Sequence, residues 1–149
     1  MKYLEDMVVG AETEFGSYEV TREEVLEFAR KYDPQPFHIS DEAAAKTHFG
    51  RIAASGWHTC AMTMAMLVRY LETDPQAGLG SPGVDELRWL IPVYPGDTIT
   101  ASGKIIEVTP SRSKPNLGSI RTETTVKNQH DKVVMRFTSI VLMQRRPAD

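Results

Sequence analysis

The chain has 149 residues and a mass of 16.7 kDa, which suits one domain with a sizeable buried core. Its net charge is −3 with lysine and arginine spread along the chain, which argues against a nucleic-acid partner. The longest mainly apolar stretch, Cys60 to Val68, is far shorter than the ~18 residues of a membrane span. The single cysteine excludes an internal disulfide, and the N-terminus lacks the apolar run of a secretory signal. These features predict a cytoplasmic protein with no membrane partner.

The first third of the chain predicts a strand followed by a short helix. Residues Ala11 to Val20 alternate loosely between apolar and polar, as a first strand would. Thr21 and Glu24 have the spacing of a capping box, and apolar residues then recur at helical spacing. Because Pro34 disfavours helical geometry in the residue before it, this helix is expected to end at Asp33.

A proline-rich segment then separates this helix from a second, apolar one. The two prolines between Asp33 and His38 predict a stiff, extended loop. A brief helical piece follows from Asp41 to Thr47. The helix after Gly56 is apolar on almost every side until Arg69, which is typical of a buried helix. Three of its methionines are predicted to fill the core: Met62, Met64 and Met66.

The second half of the chain changes to a period of two. Within Asp97 to Ile105, apolar and polar residues alternate, as in an antiparallel strand with one buried face. Residues Asn128 to Asp131 suggest a hairpin turn. We therefore predict an α+β fold in which one domain, residues 1–149, wraps a curved antiparallel sheet around a long central helix. The predicted strands of this half are Val84 to Ile91, Asp97 to Thr109, Leu117 to Gln129 and Lys132 to Arg145.

Asp33 and His38 are the residues best suited to acid–base chemistry. They lie five positions apart, and a carboxylate and an imidazole can divide the proton transfers that hydration of an unsaturated thioester needs. Gly56 opens the central helix, where unpaired N–H groups could stabilise an enolate oxygen. The spacing leaves a structural alternative open, and by itself favours it: Asp33 would cap a turn and His38 would be a buried, hydrogen-bonded histidine.

Two sequence segments resemble a known family. Residues Tyr32 to Gly56, which read YDPQPFHISDEAAAKTHFGRIAASG, resemble the hydratase 2 motif of the MaoC-like dehydratase family. That motif has Asp, an Asn-Pro pair, His, an Ala-rich piece and then Ile-Ala-His-Gly. Residues Leu87 to Thr98 also resemble the family's F-x-x-P-V-x-x-G-D-T signature. The two matches run from the first helix into the sheet.

The resemblance implies a hot-dog fold, usually dimeric, that adds or removes water in trans-2-enoyl or (R)-3-hydroxyacyl thioesters of coenzyme A. It implies no metal and no redox cofactor. Coenzyme A enters only as part of the substrate. Asp33 and His38 match the catalytic pair, with acid and base roles left open. Gly56 matches the glycine whose N–H polarises the thioester carbonyl. We therefore expect a homodimeric hydro-lyase.

Two residues depart from the family pattern. Gln35 stands where the family usually has Asn and reaches one methylene further, and Ser55 stands where it often has His. Ser55 is also a candidate cap for the central helix. Besides the pair and Gly56, we predict that substrate is bound by Gln35, Ser55, Trp57, His58, Arg112 and Lys114.

Simpler alternatives remain for several of these residues. His58 suits a packing role, and His48 is expected to be exposed. Arg112 and Lys114 lie in a basic turn that could contact coenzyme A phosphates or could only be a solvated hairpin. A metal site made from three of the histidines is conceivable, but their spacing does not favour it.

Two other functions also remain open at this point. An acyl-CoA thioesterase would share the fold but would attack the carbonyl carbon. A non-catalytic acyl-CoA-binding subunit would keep the fold without the chemistry, and the changes at Gln35 and Ser55 keep this alternative open.

Overall fold

A computed structural model describes residues 1–148. A 3₁₀ turn at Leu4–Asp6 precedes the main elements. In chain order these are β1 (Glu12–Glu19), α1 (Arg22–Tyr32), α2 (Pro36–Ile39), α3 (Asp41–Ala45), α4 (Gly56–Thr73), β2 (Gly83–Trp89), β3 (Thr98–Pro110), β4 (Leu117–Lys127) and β5 (Val133–Gln144).

The five strands form one antiparallel sheet in the order β1-β3-β4-β5-β2. Strands β1 and β2 are therefore its two edges. Helix α4 packs on the sheet, and the buried core joins Met62 and Met66 of the helix to strand residues such as Ile99 and Val126. The predicted α+β fold, a curved antiparallel sheet with a central helix, is confirmed.

The start of α1 differs in one detail from the predicted capping box. The Thr21 side chain accepts a hydrogen bond from the Glu24 amide, as expected for an N-cap. The Glu24 carboxylate does not close the box, because it accepts a hydrogen bond from the Tyr18 hydroxyl at 2.6 Å. The carboxylate thus ties α1 to β1.

The segment from Asp33 to His38 is not wholly extended, as we had predicted. Helix α1 ends at Tyr32, so Pro34 has the expected effect on Asp33. Pro36, however, is the first residue of α2, where its fixed φ suits a helix and its missing N–H costs nothing. His38 therefore lies on a short helix, and this geometry buries its ring.

Helix α4 is buried on one face only. Met62 and Met66 are nearly inaccessible, but Met64 is 57% exposed, so the prediction that Met64 fills the core was wrong. Met64 lies on the side of α4 that faces away from the sheet, together with Trp57 and Val68. The outer face of α4 is thus an exposed apolar stripe. Within residues 1–148, no helix combines the length and apolar character that crossing a membrane requires.

Candidate active site

The predicted catalytic residues share a cavity at the N-terminal end of α4. The cavity has a volume of about 470 Å³ and lies between α2, the start of α4 and the segment that follows β2. Asp33, Gln35 and His38 line one side of it, and Gly56 and Trp57 line another. The fold thus brings the end of α1, helix α2 and the start of α4 to one place. We call this space the catalytic cavity, after the catalytic role predicted for Asp33 and His38.

His38 is buried, and its hydrogen bonds fix the tautomer of its ring. Its side chain is about 6% exposed, and Nδ1 lies 2.7 Å from the Ala53 carbonyl oxygen. Because a carbonyl oxygen only accepts hydrogen bonds, Nδ1 carries a hydrogen. In the neutral ring Nε2 is then the free basic nitrogen. This nitrogen lies 3.4 Å from Oδ2 of Asp33.

Asp33 accepts two hydrogen bonds that keep its carboxylate charged. Gln35 Nε2 donates to Oδ1 at 2.7 Å, and Ser55 Oγ donates to Oδ2 at 2.8 Å. Burial acts to raise the pKa of Asp33, but these two hydrogen bonds and the electrostatic effect of the neighbouring His38 ring outweigh it and place the pKa below its usual value. Asp33 is therefore a carboxylate at neutral pH.

The two residues that depart from the family motif are thus both donors to Asp33. Ser55 is the N-cap residue of α4, as predicted, but its side chain makes no cap hydrogen bond, because its hydroxyl donates to Asp33. Gln35 lines the cavity, so its predicted contact with substrate remains a prediction. The longer Gln35 side chain reaches back over two residues to the carboxylate.

Gly56 is the first residue of α4, so its amide has no intrahelical acceptor. Its carbonyl accepts a hydrogen bond from Trp89 Nε1 at 2.9 Å, which holds the indole over the glycine. A Cβ atom at Gly56 would lie 2.5 Å from Cε2 of that ring. The absence of a side chain at Gly56 therefore makes room for Trp89, and Gly56 lines the cavity beside it.

Sequence reasoning missed Trp89 as a residue of the cavity wall. Its ring meets Trp57 edge-on at a centroid distance of 5.1 Å, and both rings line the catalytic cavity. A signal was present, because Trp89 lies inside the second family-like segment and ends an edge strand. His48 was predicted to be exposed, and it is, but it also lines the cavity beside Phe49.

His58 is not brought to the catalytic cavity. It is buried and stacks on Phe28 with ring centroids 4.7 Å apart, while its Nδ1 has no hydrogen-bond partner within the described part of the chain. Burial lowers the pKa of His58, and the charge of Glu24 opposes this only partly. The packing alternative fits this neutral, stacked ring better than substrate binding does.

Arg112 and Lys114 also lie away from the catalytic cavity. Both are exposed in the turn after β3, whereas the cavity borders the segment just before β3 begins. A strand of 13 residues spans roughly 40 Å, which is the separation between its two ends. Within one chain, the solvated-hairpin alternative therefore describes their surroundings.

Comparison with known proteins agrees with this architecture. Residues 6–128 match the model of the MaoC-like domain family. The chain is 32% identical to a 3-hydroxybutyryl-CoA dehydratase from Methylorubrum extorquens over 77% of this chain and 71% of that protein. It is 26% identical to the uncharacterized protein YdeM of Bacillus subtilis, over 95% and 99% of the two chains.

A solved structure is similar over nearly the entire length. The MaoC-like dehydratase from Rhodospirillum rubrum superposes with a TM-score of 0.88 at 37% identity, covering 98% of this chain and 99% of the other. The sheet, the central helix and the sequence therefore all indicate the same family. The chain belongs to the MaoC-like dehydratase family and has its hot-dog fold.

Proposed function

We propose that this chain is a hydro-lyase that adds water to a trans-2-enoyl-CoA or removes it from an (R)-3-hydroxyacyl-CoA. The observation that carries the proposal is the pairing of an ionised Asp33 with the free Nε2 of His38 in one cavity. A water bound between them would have one partner that fixes its orientation and another that accepts its proton. Such a pair is what hydration of a conjugated thioester needs.

The tautomer of His38 suggests how the proton moves. Nε2 takes a proton from the water as the hydroxyl oxygen bonds to the β-carbon, and the electrons of the double bond shift to the thioester carbonyl. The imidazolium then returns that proton to the α-carbon, so one water is consumed and the enzyme is regenerated. The Asp33 carboxylate holds the water and stabilises the imidazolium beside it. Dehydration follows the same path in reverse.

In this mechanism the start of α4 would stabilise the thioester oxygen as it becomes negatively charged. The enolate oxygen that forms when the double bond is attacked carries negative charge. The amide of Gly56 and the positive end of the helix dipole would stabilise that charge. The aromatic wall formed by Trp57 and Trp89 would keep water away from the bound thioester.

We also propose that the protein works as a homodimer. The outer stripe of α4 exposes Trp57, Met64 and Val68, which a monomer would leave in water. Beside it, β2 is a free sheet edge whose backbone groups are open to pairing. Two copies joined along β2 and this stripe would satisfy the edge and bury the apolar face by one symmetric contact.

Loss of the enoyl-thioester absorbance of crotonyl-CoA tests the proposed reaction. The wild type should consume it, and Asp33→Asn and His38→Ala should each lower kcat by about 10²- to 10⁴-fold, as loss of a general acid–base group does. Near-wild-type hydration by either folded variant would refute the assignment. Release of free thiol would instead identify a thioesterase, and tight binding without turnover would identify a non-catalytic subunit.

A further inference from the structure

A short basic loop borders the catalytic cavity between α3 and α4. Residues 46–51 follow the end of α3, and His48 and Phe49 within this loop line the cavity. Three of its six residues are basic, namely Lys46, His48 and Arg51, and all three are exposed. The net charge of the whole chain is −3, so basic residues are unusually concentrated here. We call residues 46–51 the rim loop.

Arg51 is held in one orientation by the segment that follows β2. Its guanidinium lies over the Tyr94 ring, with Cζ 4.0 Å from the ring centroid, and Nη1 makes a long hydrogen bond of 3.5 Å to the Pro95 carbonyl. The Tyr94 hydroxyl donates to the Phe49 carbonyl at 2.8 Å, which fixes the tyrosine ring to the rim loop. A guanidinium stacked in this way still has N–H groups along its edge that can bind a ligand.

The basic groups of the rim loop are not neutralised by acidic neighbours. Within residues 1–148, neither Arg51 nor Lys46 forms an ion pair. The nearby Asp41 carboxylate accepts a hydrogen bond from the Ile52 amide, but its other oxygen is paired with Arg22 at 2.9 Å. The positive charge of Arg51 is therefore available to an anion from outside the chain.

The position of Arg51 fits an anionic group that is remote from the reacting carbons. The guanidinium lies where the rim loop meets the segment after β2, and both segments supply cavity-lining residues, such as Phe49 and Val93. Arg51 itself does not line the cavity, so its charge lies outside the space that holds the acid–base pair. In a coenzyme A thioester the pantetheine arm likewise separates the phosphates from the thioester.

We infer that Arg51, assisted by Lys46, binds the phosphates of coenzyme A and thereby favours a coenzyme A thioester over a thioester of pantetheine alone. This inference rests on the proposed hydro-lyase function. The edge of a guanidinium can donate two parallel N–H groups to one phosphate, and such charge-assisted bonds are roughly twice as strong as neutral ones. The phosphate site is then the rim loop and not the turn that contains Arg112 and Lys114.

The test compares hydration of crotonyl-CoA with hydration of crotonyl-pantetheine, which carries the same acyl group without phosphates. Arg51→Ala should raise KM for crotonyl-CoA roughly tenfold, as the loss of a hydrogen bond to a charged group does, with little change in kcat. KM for crotonyl-pantetheine should not change. Arg51→Lys should give a smaller increase, because lysine keeps the charge without the planar edge. Melting temperatures should show that each variant is folded.

Arg136→Ala is the matched control. Arg136 is an exposed arginine of β5 that does not line the catalytic cavity and, within residues 1–148, forms no ion pair. Its substitution changes the net charge of the protein by the same amount as Arg51→Ala. It should leave KM for both thioesters unchanged, and an increase equal to that of Arg51→Ala would overturn the inference by showing a general effect of charge.

Three other results would also overturn the inference. An equal increase in KM for both thioesters in Arg51→Ala would show that Arg51 does not act on the phosphates. An increase specific to crotonyl-CoA in Arg112→Ala, but not in Arg51→Ala, would place the phosphates at the turn after β3. A larger loss with crotonyl-acyl carrier protein than with crotonyl-CoA would assign the rim loop to docking of a carrier protein.

Failure of the proposed function would look different. In that case the wild type would hydrate neither thioester. Calorimetric binding of free coenzyme A still tests the rim loop, because Arg51→Ala should weaken binding roughly tenfold and Arg136→Ala should not. Equal affinity of the wild type and Arg51→Ala for coenzyme A would overturn the inference whatever the activity.

Discussion

Ser55→Ala tests whether the hydroxyl that contacts Asp33 serves the reaction. The substitution removes the 2.8 Å hydrogen bond to Oδ2 and leaves the Gln35 bond to Oδ1 in place. A hydrogen bond to a charged group contributes about 1.5–3 kcal/mol. At about 1.4 kcal/mol per factor of ten, kcat/KM at neutral pH should fall roughly tenfold to a hundredfold.

Ser55→Ala should also raise the pKa of Asp33. Burial acts to raise the pKa of Asp33, and the Ser55 hydrogen bond is one of the contacts that hold it down. Without that contact the pKa of Asp33 rises, so the low-pH limb at which Asp33 itself takes up a proton should move to higher pH, separately from the limb at which the His38 base is protonated. The profile should be measured by crotonyl-CoA absorbance in parallel with melting temperature.

A serine on the neighbouring helix provides the control for this experiment. Ser40→Ala removes a hydroxyl that caps α3 and does not contact Asp33, so the acid limb should not move. Wild-type kcat/KM and an unmoved acid limb in folded Ser55→Ala would refute the positioning role of Ser55.

Three further predictions concern the pair, the assembly and the helix start. The Asp33→Asn/His38→Ala double variant should lose little more activity than the worse single variant, because the two groups act on one water; fully additive losses would show independent roles. Light scattering should find a homodimer that Met64→Lys dissociates and Glu27→Lys, on exposed α1 surface, does not; a monomeric wild type would contradict this. Gly56→Ala should lower both melting temperature and kcat/KM, because its Cβ displaces the Trp89 indole. Adding Trp89→Leu should restore the melting temperature but leave kcat/KM about 10²-fold below that of Trp89→Leu alone if the side chain at position 56 blocks the thioester; a kcat/KM equal to that of Trp89→Leu would make Gly56 purely structural.

The fold was largely predictable because its signals are periodic. The alternation from Asp97 to Ile105 and the apolar run between Gly56 and Arg69 each predict an element type without knowledge of its partners. The periodicity of the sequence could not show which side of a helix packs against the sheet. An apolar residue such as Met64 predicts burial in any assembly, and only the packing of α4 shows that this side faces away from the sheet.

The sequence singled out residues that the fold brings to one cavity, but it did not show their contacts. Asp33, His38 and Gly56 were found through motif resemblance, and the fold brings all three to one cavity. The hydrogen bond from Ser55 joins residues 22 positions apart, so no local pattern could predict it. Trp89 was missed for the same reason, because it reaches Gly56 from 33 positions away.

The contacts of Gln35 and Ser55 bear on the rival in which the chain has lost catalysis. A subunit that only binds thioesters has no need to hold Asp33 ionised, and a buried carboxylate is costly unless it is paired or hydrogen-bonded. Asp33 nevertheless keeps a donor on each oxygen, and both donors come from the positions that depart from the family motif. The longer Gln35 side chain folds back so that its amide reaches Oδ1 of Asp33. The hydroxyl of the buried Ser55 donates to Oδ2. Both residues therefore hold in a fixed orientation the carboxylate that a water-activating pair requires, which favours an altered but active site over a vestigial one.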